Sequence, residues 1–152
     1  MDWIYDDGGR KESGYKGETG DCVVRAVAIA TGRPYKVIYE ELRALNKKHS
    51  ETRNTRVSRA LKRKGSTPRN GNFKEVYDGY IKSLGFKWIP TMEFGKGCSV
   101  HLCADELPGG MIICRVSKHL TVVDNGVIKD THDCSRAETR CVYGYYEKIK
   151  SD

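Results

Sequence analysis

The chain has 152 residues, of which 38% are hydrophobic and 31% are charged. This balance favours one globular domain covering residues 1–152 and excludes a disordered chain. No apolar run approaches the roughly 18 residues that a membrane-spanning helix needs, and the acidic N-terminus carries no apolar targeting segment. We therefore expect a cytoplasmic protein with no membrane partner.

The six cysteines and the net charge of +7 add two further expectations. In a reducing cytoplasm, cysteines are free, catalytic or metal-bound more often than paired in disulfides. The positive charge is concentrated between Arg33 and Lys74, a segment with thirteen of the 27 Lys and Arg residues and three acidic residues. This asymmetry indicates an anionic partner.

Four helices are predicted after a glycine-rich, charged segment, residues 1–20, that we expect to be an extended lead-in. The first helix begins at Cys22, is apolar on nearly every side, and ends before Gly32, with Thr19 or Asp21 as its cap. The other three are an amphipathic helix that begins at Pro34, a short basic helix over 53–64, and a helix that Asn72 and Glu75 cap and Gly85 closes.

From residue 86 onward the hydrophobic pattern changes from the period of helices to that of strands. Short β-branched or aromatic runs predict strands at 86–88, 111–116, 120–123, 127–129 and 141–146. The tripeptide Asp124-Asn125-Gly126 predicts a β-hairpin between the third and fourth of them. The order of elements predicts an α+β fold, with N-terminal helices packed on a C-terminal antiparallel sheet.

Cys22 is the strongest candidate for a catalytic residue. A thiol at a helix N-terminus lies at the positive end of the helix dipole, close to unpaired backbone N–H groups, and both favour the thiolate. His119, at the entry of a later strand, is the candidate general base. The two-residue hairpin turn pairs Thr121 with Asp130, which brings Asp130 near His119 and makes it the leading candidate to orient the imidazole. Asp133 is the alternative candidate for orienting the imidazole.

These residues resemble the pattern of papain-like cysteine peptidases, in particular small bacterial branches such as the bacteriocin-processing peptidases. The resemblance lies in a Cys that opens a helix, a distant His that opens a strand, and an Asp that closes the next strand. It implies that Cys22 is the nucleophile, His119 the general base and acid, and Asp130 the orienting residue. It also implies a peptide or protein substrate, cleavage of a peptide, isopeptide or other amide bond, and no cofactor.

A second resemblance is to a group of small uncharacterised bacterial and phage proteins. It lies in the segments Gly20 to Ala26, Gly97 to Leu102 and Ala104 to Pro108, and it implies no established substrate. If a phage encodes the chain, the expected compartment is the cytoplasm of the host.

The chain departs from the papain-like pattern at the oxyanion hole. Many papain-like enzymes place a Gln shortly before the catalytic Cys as an oxyanion donor, but this chain contains no Gln. We expect the backbone N–H of Cys22 to be one donor, and Lys16, Thr19 or a neighbouring N–H to supply the second.

The basic helix supports an alternative function. Lys and Arg side chains at near-helical spacing can track phosphates by displacing counterions, although no aromatic residues are interleaved with them for base stacking. On this hypothesis the protein is a non-enzymatic module that binds nucleic acid or protein. The anion-binding residues are then Arg53, Arg56, Arg59, Lys62 and Arg63.

A zinc-stabilised interaction domain is a third hypothesis, because several soft ligands lie in the second half of the chain. They are Cys98, His101, Cys103, His132, Cys134 and Cys141. No Cys-x₂-Cys knuckle is present among them, and Cys114 and Cys141 fall inside predicted strands as core thiols. We therefore assign no metal from the sequence.

Overall fold

The computed structural model describes residues 1–16, 20–69 and 71–150. The α+β class is confirmed, because four helices precede five of the six strands found in those residues. By its contacts the chain divides into two compact units: a helical unit, Gly8–Leu84, and a sheet unit, Met1–Asp7 with Gly85–Asp152. The assignment of one domain to 1–152 stays a prediction. None of the described helices has the length and apolar character needed to cross a membrane.

The helical unit contains α1 (Cys22–Thr31), α2 (Tyr35–Thr52), α3 (Arg56–Lys64) and α4 (Lys74–Ser83). Helix α1 is buried along most of its length, as its apolar sequence predicts. It ends at Gly32, which has a left-handed φ of 72° and whose N–H donates to the carbonyl oxygen of Ala28. The predicted start of α1 at Cys22 and its end at Gly32 are both confirmed.

Two helices start later than the sequence predicts. Helix α3 begins at Arg56 because Thr55 and Ser58 cap it: the Thr55 hydroxyl accepts from the Ser58 N–H (3.2 Å) and the Ser58 hydroxyl accepts from the Thr55 N–H (2.7 Å). Helix α4 begins at Lys74 with Phe73 at the N-cap position, because the Asn72 amide donates instead to the carbonyl oxygen of Pro68. The prediction that Asn72 caps α4 is therefore wrong. The predicted basic helix is present and ends at Lys64 as expected, but it starts three residues after Arg53.

The sheet unit contains β1 (Trp3–Tyr5), β2 (Phe86–Pro90), β3 (Met111–Val116), β4 (His119–Asp124), β5 (Val127–Asp130) and β6 (Gly144–Lys148). Their order in the sheet is β1-β5-β4-β3-β6-β2. Every neighbouring pair is antiparallel except β1 and β5, which are parallel, with Trp3 opposite Ile128 and Tyr5 opposite Asp130. The sheet is therefore mixed, and residues 3–5 of the predicted lead-in form its edge strand.

The predicted hairpin joins β4 and β5. Asp124 pairs with Val127, and both turn residues have positive φ angles, 48° at Asn125 and 81° at Gly126. These angles define the type I′ turn that an Asn-Gly pair favours. A second two-residue connection joins β3 to β4, with His119 paired to Val116.

The last predicted strand is displaced along the chain. Strand β6 begins at Gly144 rather than at Cys141, and Cys141 forms only an isolated bridge with His101. Cys141 is also joined to Cys98 by a disulfide, with their Cα atoms 5.8 Å apart. The expectation that all six cysteines are reduced is therefore wrong for this pair, and so is the assignment of Cys141 to a strand as a core thiol.

Candidate active site

Cys22 is the first residue of α1 and is partly exposed. Asp21, which precedes it, occupies the N-cap position but makes no side-chain capping bond. Its fully buried carboxylate instead accepts hydrogen bonds from Arg10 (3.0 Å), from Arg25, and from the hydroxyl of Tyr35 (2.6 Å). The prediction that the Asp21 side chain caps α1 is wrong, because these three donors hold both of its oxygens.

Opposite charges meet beside the start of α1. The guanidinium groups of Arg10 and Arg25 both contact the carboxylate of Asp21. Burial, together with the hydrogen bond to Asp21, raises the pKa of Tyr35, which therefore stays protonated and keeps donating. Cys22 lies in the first turn of α1, the part of a helix where the helix dipole is positive.

His119 and Asp130, the other two candidate catalytic residues, contact each other within the sheet unit. The Nε2 atom of His119 lies 2.7 Å from Oδ2 of Asp130, which is 3% exposed. The same carboxylate accepts from the Thr121 hydroxyl (2.7 Å) and from the Thr131 N–H (2.7 Å). The contact that the hairpin register predicts between His119 and Asp130 is therefore present, while the catalytic roles of both residues stay predictions.

The protonation of this pair follows from its surroundings. Burial opposes ionisation of Asp130, but the hydrogen bond and positive charge of His119, with the donors Thr121 and Thr131, hold the pKa of Asp130 well below its usual range. Asp130 is therefore a carboxylate that accepts the proton on Nε2 of His119. In the neutral form of the ring, a proton on Nε2 places the lone pair on Nδ1, the atom that a general base would use to take a proton from a thiol.

The remaining predicted site residues lie as follows. Asp133 is exposed, and its carboxylate accepts from both the N–H and the hydroxyl of Ser135. Lys16 is exposed, and its carbonyl oxygen accepts from Arg69. Thr19 lies outside the described residues.

The zinc ligands suggested by the sequence are not assembled as a set. Cys98 is bonded to Cys141 and cannot serve as a thiolate ligand, and His101 contacts Glu106 (3.3 Å). A different group of metal-ligating atoms exists in the described part of the chain: those of His119, Asp130 and Cys134 lie within 4.8 Å of one another. Of these three residues, only Cys134 is among the zinc candidates predicted from the sequence.

The basic residues predicted to bind anions line a cavity only in part. A cavity of about 850 Å³ in the helical unit is bordered by Arg53, Arg56 and Arg63, but not by Arg59 or Lys62. Arg53 follows the end of α2 in an extended conformation, and Arg59 contacts Asn54 (3.4 Å). The other lining residues are His49, Thr55, Val57, Ala60, Lys64, Phe73 and Glu75.

Sequence reasoning missed the role of Asp21 as a buried acceptor and the position of Cys134 beside the His119–Asp130 pair. For Asp21 a signal was available, because an arginine in an otherwise apolar helix needs an anionic partner and Arg25 lies four residues after it. For Cys134 there was none. It follows β5 in a loop, and its burial in the core of the sheet unit depends on strands that are distant in sequence.

Comparison of the chain with protein-family models, with curated proteins and with solved structures finds no match in any of the three. The resemblance to papain-like peptidases therefore remains a prediction based on the residues themselves.

Proposed function

We propose that this protein is a papain-like cysteine hydrolase in which Cys22 is the nucleophile, His119 the general base and acid, and Asp130 the residue that orients the imidazole. The observation that carries the proposal is the hydrogen bond between His119 Nε2 and buried Asp130 Oδ2. A carboxylate that holds one ring nitrogen orients the imidazole for proton transfer at the other, which is the requirement for activating a thiol.

The proposed reaction is hydrolysis of an amide bond in a peptide, an isopeptide or a related substrate. The Cys22 thiolate attacks the carbonyl carbon, the tetrahedral intermediate collapses, and protonated His119 gives its proton to the departing amine. The resulting thioester is attacked by a water molecule whose proton His119 accepts. A carboxylic acid leaves, and the thiol is restored.

The first oxyanion donor in this proposal is the backbone N–H of Cys22. It belongs to the first turn of α1, where the positive end of the helix dipole stabilises a developing oxyanion. The N–H of Gly20 is not available for the role, because it donates to the carbonyl oxygen of Arg69 (3.0 Å). We assign the second donor to Lys16 or Thr19.

The proposal requires His119 to act on Cys22, and limited alkylation at pH 7 with mass-spectrometric readout tests this. Cys22 should be labelled faster than Cys114, because Cys114 is buried and burial raises the pKa of its thiol. His119→Ala should slow labelling of Cys22 by about tenfold or more. The matched control is His101→Ala, a change at another histidine of the sheet unit, which should have no effect.

Two results would contradict the proposal. One is a Cys22 that reacts no faster than Cys114 in the folded protein. The other is an equal labelling rate in the wild type and in a folded His119→Ala variant.

A second candidate function, binding of single-stranded nucleic acid, is supported by the cavity in the helical unit. Arg53, Arg56 and Arg63 make no ion pair within the described residues, so their charge is available to phosphates. Phe73, which borders the same cavity, lies 5.8 Å from Lys64 Nζ and offers a ring for base stacking. The cavity thus combines cations with an aromatic ring, which the helix pattern alone did not reveal.

Fluorescence anisotropy with a labelled oligonucleotide at increasing salt tests this second function. Binding should weaken steeply as salt rises, and changing Arg53, Arg56 and Arg63 together to Glu should abolish it. The control is the Arg59→Glu, Lys62→Glu variant, which changes basic residues outside the cavity and should retain most of the affinity. If no oligonucleotide binds even at low salt, the basic residues serve only as a solvated surface.

A further inference from the structure

Cys134 is a buried thiol that the proposed hydrolytic mechanism does not use. It is 2% exposed, and its Sγ lies 3.8 Å from Oδ2 of Asp130, the oxygen that also contacts His119. An imidazole, a carboxylate and a thiol therefore meet at one buried point of the sheet unit.

We infer that His119, Asp130 and Cys134 form a zinc site that competes with the proposed role of His119 as a base. Nitrogen, oxygen and sulfur donors of this kind form zinc sites, in which three protein ligands leave a fourth position for water. The three ligand atoms lie within 4.8 Å of one another. Donors around a tetrahedral zinc ion are separated by about 3.2–3.8 Å, so small shifts of these side chains suffice.

The charges support zinc at this position. A deprotonated Cys134, ionised Asp130 and neutral His119 carry two negative charges, which one Zn²⁺ neutralises in a buried setting. His119 and Asp130 belong to neighbouring strands, and Cys134 is packed into the hydrophobic core, so the donors are held in place. His132 has its ring centroid 5.3 Å from that of His119 and is exposed, so it can replace water as the fourth ligand by rotating its side chain.

Zinc binding has a chemical consequence for His119, which rests on the proposed function. Coordination uses the lone pair of Nε2, so the proton of the neutral ring moves to Nδ1 and the thiol proton of Cys134 is released to solvent. The Nδ1 atom then carries a proton and cannot accept one from Cys22. Zinc binding is therefore expected to lower the alkylation rate of Cys22 to the rate found in the His119→Ala variant.

Titration with Co²⁺, a spectroscopic substitute for zinc, tests the site without any activity measurement. One equivalent should produce the near-ultraviolet band of thiolate–cobalt charge transfer, and Zn²⁺ should displace it. Cys134→Ala should abolish the band, and Asp130→Asn should weaken affinity by more than about tenfold, the loss that even outer-shell changes cause. Cys22→Ala and Cys103→Ala are the matched controls and should keep the band.

Failure of the zinc site and failure of the proposed function give different results. A missing cobalt band, or a band that survives Cys134→Ala in the folded protein, would overturn the zinc site even if His119→Ala slowed labelling of Cys22. A zinc-loaded protein whose Cys22 is labelled at the unloaded rate would uphold the site and count against His119 as the base for Cys22. If the zinc site exists and His119 is the base for Cys22, Zn²⁺ slows labelling of Cys22 in the wild type and has no effect in Cys134→Ala.

Discussion

At the scale of single residues, Asp130 is the group on which the chemistry of the sheet unit depends. A buried carboxylate is costly unless several donors satisfy it, and here His119, Thr121 and Thr131 do so. These contacts keep Asp130 ionised and fix the orientation of His119. Asp130 is therefore expected to contribute both to stability and to reactivity, and the two contributions can be measured separately.

The first prediction concerns stability against pH. The pKa of Asp130 is lower in the folded protein than in the unfolded chain, so its stabilising contribution is full above the unfolded value of about 4 and is lost as pH falls below it. The free energy of unfolding of the wild type should therefore drop more steeply below pH 5 than that of Asp130→Asn, by on the order of 2 kcal/mol. Urea denaturation at several pH values measures this. Parallel pH profiles for the two proteins would mean that the buried carboxylate is not stabilised by its donors.

The second prediction ranks the two candidate orienting residues. Asp130→Ala should slow alkylation of Cys22, and any amide hydrolysis, by about tenfold or more, because the imidazole is no longer held with Nδ1 as its acceptor. Asp133→Ala should do less, since the Asp133 carboxylate is occupied by Ser135. Both variants are checked for folding by circular dichroism. The opposite ranking in two folded variants would transfer the role to Asp133.

At the scale of helices and strands, glycine ends and the hairpin turn were predicted correctly, whereas side-chain caps and nonlocal strand pairing were not. The start of α1 at Cys22, its glycine end and the Asn125-Gly126 turn are each set by a few neighbouring residues, and all three were predicted correctly. The His119–Asp130 contact was predictable for the same reason, since the hairpin register determines it. Strand β1 was missed because three residues carry too little pattern, and its strand character depends on parallel pairing with β5.

The third prediction concerns β6, the strand between β3 and β2. A Cβ atom at Gly144 would overlap the indole ring of Trp88 and come within 2.8 Å of the carbonyl oxygen of Ile89 on β2. Gly144→Ala should therefore lower the free energy of unfolding by about 2 kcal/mol or more, because a packed side chain and a backbone strand must both shift. Urea denaturation gives the value.

The matched control is Gly109→Ala. A Cβ atom there would lie 3.5 Å from Oδ1 of Asn125, an ordinary contact, so little change is expected. Equal stabilities for the two variants would show that the space beside Trp88 is not filled as described.

At the scale of the whole molecule, the six cysteines fall into chemically different classes. Cys22 and Cys103 are partly exposed thiols, Cys114 and Cys134 are buried thiols, and Cys98 and Cys141 form a disulfide. The sequence could not separate these classes, because burial and sulfur pairing both depend on the folded chain. The disulfide also departs from the expectation of a reducing compartment, and its contribution to stability can be measured directly.

The last prediction is that reduction destabilises the sheet unit. The bond between Cys98 and Cys141 closes a loop with a sequence separation of 43. Chain entropy gives such a cross-link a stabilising contribution of about 4 kcal/mol as an upper value. Because Trp3 and Trp88 both belong to the sheet unit, tryptophan fluorescence during urea denaturation reports its unfolding.

A reductant should lower the urea midpoint of the wild type and of the control Cys103→Ala. It should not lower the midpoint of the Cys98→Ala, Cys141→Ala double variant. An unchanged midpoint in wild-type protein shown by mass spectrometry to have gained two free thiols would mean that the cross-link does not stabilise the fold.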